Sequence, residues 1–187
     1  MNITLKKGML LRHQGRLFFV ENFIERHSGQ QKPAVHVTLR EAIGGRHIER
    51  TLDELMPLDE VACTYRTVQY LYPKGSTRVF MDSETFDELE LTGTALQGFE
   101  PFLKEGEEFR VMFAGSQPLR LDTPDSVALA VSDTAAPTHA IGTSANIMKE
   151  ARLENGLQVH VPLFIKAGDI VRVNTQTKEY LGKMQTV

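Results

Sequence analysis

Short runs of apolar and β-branched residues, separated by turn-forming residues, recur along the chain and constrain its fold more than any other feature. Residues 67–81 hold the clearest example, in which Pro73 and Gly75 separate two such runs and favour a hairpin turn. The pattern recurs in residues 108–121 and 170–181. Strands this short, with turns about ten residues apart, are typical of small β-barrels. We therefore predict an all-β chain whose last two thirds form two small barrels in series.

Helix-forming segments are scarce. Residues 83–89 are the best candidate, because Ser83 is a suitable N-cap and acidic residues follow it near the positive end of a helix dipole. We expect at most about two helical turns there. Gly44 and Gly45 instead predict a hairpin turn in the first third of the chain.

The 187 residues are enough for one large core or several small ones. We predict domains at residues 1–64, 65–128 and 129–187. The net charge of −3 is unevenly shared, because the three segments carry formal charges of +1, −5 and +1. An RNA contact is therefore more plausible in the first and third domains than in the acidic middle domain.

Cysteine content and hydropathy indicate the compartment. Cys63 is the single cysteine, so no disulfide can form within the chain, and this favours a reducing compartment. The lysines near the N-terminus are not followed by the apolar core of a signal peptide. No apolar run is long enough to span a bilayer. We therefore predict a cytoplasmic protein with no membrane contact.

The sequence lacks the motifs that mark common catalytic and metal sites. It contains neither of the glycine-rich phosphate-binding patterns, no Gly-x-Ser-x-Gly motif and no His-x-x-x-His pair. Residues 105–108 form an acidic cluster that is better interpreted as a solvated turn than as a metal site. We predict no catalytic residues, no metal and no cofactor, and a protein that is not an enzyme.

One polar loop is a candidate binding site. Residues 25–33 lie between two predicted strands, and Arg26 and Lys32 could contact phosphate or sugar groups. Gly29 permits a tight turn, and Pro33 stiffens the exit from the loop. The alternative interpretation is an ordinary exposed hairpin loop.

Residues 149–168 carry the most specific pattern in the chain. Its fixed positions are the segments Lys149-Glu150-Ala151 and Val159-His160-Val161-Pro162, with Gly156, Ile165 and Gly168. This spacing resembles the C-terminal signature of the elongation factor P family. Residues 71–86 resemble the middle-domain hairpin of that family, and residues 6–20 and 39–51 resemble its N-terminal domain. The resemblance thus covers nearly the whole chain.

The resemblance implies an SH3-like (KOW-like) N-terminal barrel followed by two OB-fold barrels, in an L-shaped, tRNA-like arrangement. It implies a monomer whose partners are both ribosomal subunits, ribosomal RNA and peptidyl-tRNA. The expected activity is to promote peptide-bond formation where consecutive prolines stall the ribosome. Such a factor would act by positioning the tRNA end, which requires no acid, base or nucleophile of its own.

The loop of the first domain departs from the family, which presents a basic and often modified residue at the loop tip. An ungapped alignment places Gln30 at the tip, and Lys32 occupies it only if the loop shifts by two residues. A glutamine cannot carry an amine-linked modification, so activation by modification is in doubt. The residues expected to contact tRNA or ribosome are Arg26, His27, Ser28, Gly29, Gln30, Gln31 and Lys32.

The third domain offers a second candidate loop and one aromatic residue. The segment that approaches the exit-site codon in the family corresponds here to Gly142, Thr143, Ser144, Ala145 and Asn146, and it lacks the acidic residue usual in the family. Tyr180 could stack on RNA, or it could be a packed strand residue.

A different class of function is also compatible with OB-type barrels. A general single-stranded RNA-binding protein or RNA chaperone would use the same fold. The net charge of −3 and the lack of interleaved basic and aromatic residues argue against it.

Overall fold

The computed structural model describes residues 5–26, 34–136 and 147–184. Its strands form three five-stranded antiparallel sheets, and the helical elements are single turns. Two of the three sheets are half-barrels. The predicted all-β class is therefore confirmed.

The first sheet has the strand order β4-β3-β2-β1-β5. Its strands are β1 (Leu10–His13), β2 (Arg16–Arg26), β3 (Ala34–Glu41), β4 (His47–Thr51) and β5 (Asp59–Glu60), and the helical turn α1 (Leu52–Leu55) follows β4. Alternate residues of β3 point inward, so that Val37 and Leu39 are fully buried. The predicted turn at Gly44 and Gly45 connects β3 to β4 and is confirmed.

The second sheet has the order β10-β9-β6-β7-β8. Its strands are β6 (Thr64–Lys74), β7 (Thr77–Asp82), β8 (Glu88–Thr92), β9 (Glu108–Ala114) and β10 (Gln117–Asp122), with the helical turn α2 (Gly93–Leu96) after β8. The two hairpins predicted in residues 67–81 and 108–121 are β6–β7 and β9–β10, and both are confirmed. The ring of Phe80 is fully buried, and its centroid lies 5.2 Å from that of the Tyr70 ring.

The third sheet has the order β13-β12-β11-β14-β15. Its strands are β11 (Ser126–Thr134), β12 (Met148–Leu153), β13 (Gln158–Pro162), β14 (Ile170–Asn174) and β15 (Tyr180–Lys183). The hairpin predicted in residues 170–181 is β14–β15 and is confirmed. Leu153, Val161, Val171 and Val173 alternate with exposed residues and fill the core.

The predicted helix at residues 83–89 is wrong. Residues 83–85 form a turn, and β8 begins at Glu88. Oδ1 of the buried Asp82 accepts hydrogen bonds from the backbone N–H groups of Glu84 at 2.9 Å and Thr85 at 3.2 Å. This carboxylate holds the turn closed, and Asp82 therefore has the role that the sequence suggested for Ser83.

The chain divides into two compact units. One consists of Met1–Leu96 and Glu108–Asp122, and the other of Gln97–Glu107 and Thr123–Val187. The domain boundaries at residues 64/65 and 128/129 stay a prediction, as does the L-shaped arrangement.

Within the first unit, the first two sheets share a buried apolar cluster. Its buried members are Leu10, Phe19, Ala42, Met112 and Leu119, which come from both sheets and the β3–β4 turn. The guanidinium groups of Arg40 and Arg120 lie 5.5 and 4.7 Å from the centroid of the Phe19 ring. Because this cluster and the contact of Arg120 with Phe19 join residues of both sheets, the two sheets pack as one body.

Candidate RNA-contacting loops

The loop that the sequence singled out is the connection between β2 and β3. The last described pair of this hairpin is Arg26 with Ala34, preceded by Glu25 with Val35. Arg26 is therefore the final residue of β2. The other predicted contact residues, His27, Ser28, Gly29, Gln30, Gln31 and Lys32, lie outside the described residues. Which of Gln30 and Lys32 occupies the tip stays a prediction.

The outer part of β2 leaves the core before the loop begins. Val20 is 1% exposed, and the pairing register of β2 with β3 then shifts between Val20 and Asn22. Beyond this bulge, Phe23 is 37% and Ile24 is 51% exposed. Successive residues of a strand point to opposite faces of the sheet. Because both Phe23 and Ile24 are exposed, the described residues cover neither face of β2 fully at this point. The outer part of the hairpin is thus a stem whose described residues are more exposed than those nearer the core.

Phe23 and Ile24 were not singled out from the sequence. The available signal was two adjacent apolar residues in the outer part of β2, beyond the consecutive buried residues Phe18, Phe19 and Val20. Sequence patterning alone assigns such a pair to a strand buried on both faces, whereas the structure leaves both side chains accessible.

The second predicted loop joins β11 to β12. Gly142, Thr143, Ser144, Ala145 and Asn146 lie outside the described residues, but the base of the loop is described. The Thr134 hydroxyl donates to the carbonyl of Glu150 at 2.7 Å. The Lys149 ammonium group donates to the carbonyls of Ala135 at 2.5 Å and Ala136 at 3.3 Å. Lys149, which belongs to the C-terminal signature, therefore holds the backbone at the loop base.

Replacement of Lys149 by methionine should lower the free energy of unfolding by about 1 kcal/mol, because two carbonyls lose a charged donor. Urea denaturation followed by circular dichroism measures this change. Lys166→Met is the matched control, since the Lys166 side chain is exposed, and we expect it to stay within about 0.5 kcal/mol of the wild type. Equal effects of the two substitutions would contradict the role assigned to Lys149.

Tyr180 is the first residue of β15 and is half-buried. Burial raises the pKa of its hydroxyl; the charge of Lys183 opposes this rise, and that of Asp169 adds to it. These two charged residues form an ion pair, in which Lys183 Nζ lies 2.9 Å from Oδ1 of Asp169. A half-buried ring can both pack against the sheet and present an edge to RNA, and stacking by Tyr180 therefore stays a prediction.

Two further observations concern the described part of the chain. No group of three or more His, Cys, Asp or Glu side chains within the described ranges is arranged to hold a metal ion. Across these same ranges, none of the helices has both the length and the apolar character needed to cross a membrane.

Comparison with known proteins identifies the family. Residues 63–121 match the family described as "Elongation factor P (EF-P) OB domain", and residues 127–183 match "Elongation factor P, C-terminal". The chain is 34% identical over 178 residues to elongation factor P of Desulfovibrio desulfuricans, covering 95% of this chain and 96% of that protein. It is 32% identical over 180 residues to elongation factor P of Clostridium botulinum, covering 96% and 97%.

A solved structure, described as eukaryotic translation initiation factor 5A from Methanococcus jannaschii, is also similar. Its TM-score is 0.49 at 22% identity, covering 63% of this chain and 89% of that one. Together, the sheets and the matched middle segment define an all-β protein with an OB-type domain. The relatives, which match along almost the entire length, show that the chain belongs to the elongation factor P family. The resemblance seen in the sequence is thereby confirmed.

Proposed function

We propose that this protein is a cytoplasmic translation elongation factor that binds the ribosome beside peptidyl-tRNA and promotes peptide-bond formation at stalling sequences such as consecutive prolines. One observation carries the proposal: the chain is 34% identical to an elongation factor P over 95% of its length. The proposed partners are both ribosomal subunits, ribosomal RNA and peptidyl-tRNA, and the factor acts as a monomer.

The proposed mechanism is positioning. Proline is a conformationally restricted reactant, and holding the tRNA end in a reactive pose lowers the entropic part of the barrier. In the first domain, the exposed stem of β2 and β3 would carry Arg26 and the loop up to Lys32 to the tRNA end. Gln30 would act there through amide hydrogen bonds, without modification.

The third domain would supply the second contact. The loop with Gly142, Thr143, Ser144, Ala145 and Asn146 would approach the small subunit, and Tyr180 would stack on RNA. Lys149 supports the proposal because it holds the backbone at the base of this loop.

The decisive experiment is reconstituted translation of a reporter with consecutive prolines, using protein that has not been modified. We expect the wild type to relieve stalling and Gln30→Ala to lose most of this rescue, while Lys32→Ala retains it. The reverse pattern would mean that Lys32 occupies the tip. A reporter without prolines is the control, and its yield should not depend on the factor.

Failure of the wild type to bind ribosomes carrying peptidyl-tRNA would overturn the proposal. Tight binding to free single-stranded oligonucleotides in the same assay would instead favour the RNA-chaperone alternative. Ribosome binding without rescue would mean either that the tip requires a modification or that the protein relieves a different kind of stall, and it would overturn the proposed unmodified polyproline factor.

A further inference from the structure

A cationic pocket lies in the first unit, at the end of β2 that begins with Arg16. It has a volume of about 410 Å³ and is lined by Arg16, Arg46 and Arg50, together with His13 and Glu41. Three guanidinium groups face a single carboxylate. A pocket with this excess of positive charge favours an anionic ligand.

Among the residues that the structure describes, the two positive charges in excess lack carboxylate partners. Glu41 pairs with Arg16 at 3.2 Å and so offsets one of the three charges. Arg50 donates one hydrogen bond, to the backbone carbonyl of Glu49. The Arg46 carbonyl accepts a hydrogen bond from the Glu41 N–H group, but the Arg46 guanidinium group has no hydrogen-bond or ion-pair partner among the described residues. A guanidinium group has five N–H donors in a planar fork that matches the oxygens of a phosphate. Most of these donors are available to a ligand.

His13 provides an independent indication of a ligand. Its Nε2 atom is buried and has no hydrogen-bond partner among the described residues. Buried polar atoms in folded proteins almost always have a partner, and one without a partner requires an explanation. A phosphate oxygen in the pocket is a suitable acceptor for a proton on Nε2.

The tertiary fold brings these residues together. His13 ends β1 and Arg50 lies in β4, and two strands separate β1 from β4 in the sheet. Both residues nevertheless line one cavity. The pocket therefore combines strand residues with Arg46 from the β3–β4 turn.

We propose that this pocket binds a phosphate group of an RNA backbone. The inference rests on the proposed function, which supplies RNA as the partner. Arg16 begins β2 and Arg26 ends it, so the pocket and the tip loop lie at opposite ends of one hairpin. At about 3.3 Å per residue, the two ends are about 30 Å apart. A phosphate held at one end would fix the direction in which the loop at the other end points.

Ribosome binding tests this proposal through the double substitution Arg46→Gln and Arg50→Gln. We expect the Kd for ribosomes carrying peptidyl-tRNA to rise about tenfold, and the slope of log K against log salt to become shallower by about one, as expected for one lost phosphate contact. The matched control is Lys7→Gln with Arg12→Gln, which removes two exposed positive charges of the same unit. Equal Kd values and equal slopes for the two double variants would overturn the proposal.

Inorganic phosphate provides a readout that does not depend on the ribosome. We expect millimolar phosphate to shift the imidazole NMR signals of His13 in the wild type and in the control, but not in the Arg46→Gln, Arg50→Gln variant. A wild type without such a shift would overturn the site. A shift in a protein that does not bind ribosomes would support a phosphate site but overturn its assignment to RNA, and with it the proposed function.

Discussion

Replacement of Phe19 by alanine is expected to lower the free energy of unfolding of the first unit by about 3–5 kcal/mol. Phe19 is 2% exposed and belongs to the cluster that joins the first two sheets. Its removal leaves a cavity between β2 and the strands β9 and β10, because neither rigid sheet can collapse into the space. Arg40 and Arg120 also lose the aromatic ring on which they stack.

The measurement is urea denaturation followed by circular dichroism and tyrosine fluorescence, since the chain has no tryptophan. Phe164→Ala is the control for the loss of the same ring, because Phe164 is 53% exposed. We expect the control to stay within about 0.5 kcal/mol of the wild type. A Phe19→Ala protein as stable as the control would show that the two sheets do not depend on this cluster.

Replacement of Asp82 by alanine should lower the free energy of unfolding by about 2–3 kcal/mol. The substitution leaves the N–H groups of Glu84 and Thr85 without their acceptor. It also deprives Arg66 of a carboxylate 3.5 Å away. Asp87→Ala is the control, because the Asp87 side chain is exposed. If both variants unfold at the same urea concentration, the turn does not depend on the Asp82 carboxylate.

The Asp82 carboxylate also makes stability depend on pH. The N–H group of Glu84 contributes most to lowering its pKa; burial opposes this, and Thr85 and Arg66 lower it further. A carboxyl group whose pKa is lower in the folded state stabilises that state above its unfolded pKa of about 3.9, and this stabilisation is lost as pH falls through the folded value. Below about pH 4, the wild type should therefore lose stability more steeply than an Asp82→Asn variant. Parallel pH profiles would contradict this.

Local sequence features predicted the hairpins well. Pro73 and Gly75 favour a turn by their own backbone preferences, and the runs on either side alternate with the period of a strand. These properties depend on nearest neighbours, so β6 and β7 follow from the sequence. The turn at residues 83–85 did not follow from the sequence, because the helix signals at Ser83 compete with the buried hydrogen-bond acceptor of Asp82. Burial is a property of the whole domain, and local propensity does not report it.

The candidate sites were also predicted only in part from the sequence. Motif spacing located both loops, because family signatures are patterns along the chain. The pocket of His13, Arg16, Arg46 and Arg50 has no such pattern, since its residues come from the β3–β4 turn and from three different strands, β1, β2 and β4.

The sequence by itself thus determined the all-β class, the hairpins and the family, because alternation, turn chemistry and motif spacing are all read along the chain. Only the tertiary structure decided that Phe19 joins two sheets, that Asp82 closes a turn and that three arginines share a pocket. Each of these features depends on which residues are brought together when sheets curl and pack. Which residues meet depends on how the whole chain buries its apolar surface, and not on the sequence neighbours of any one residue.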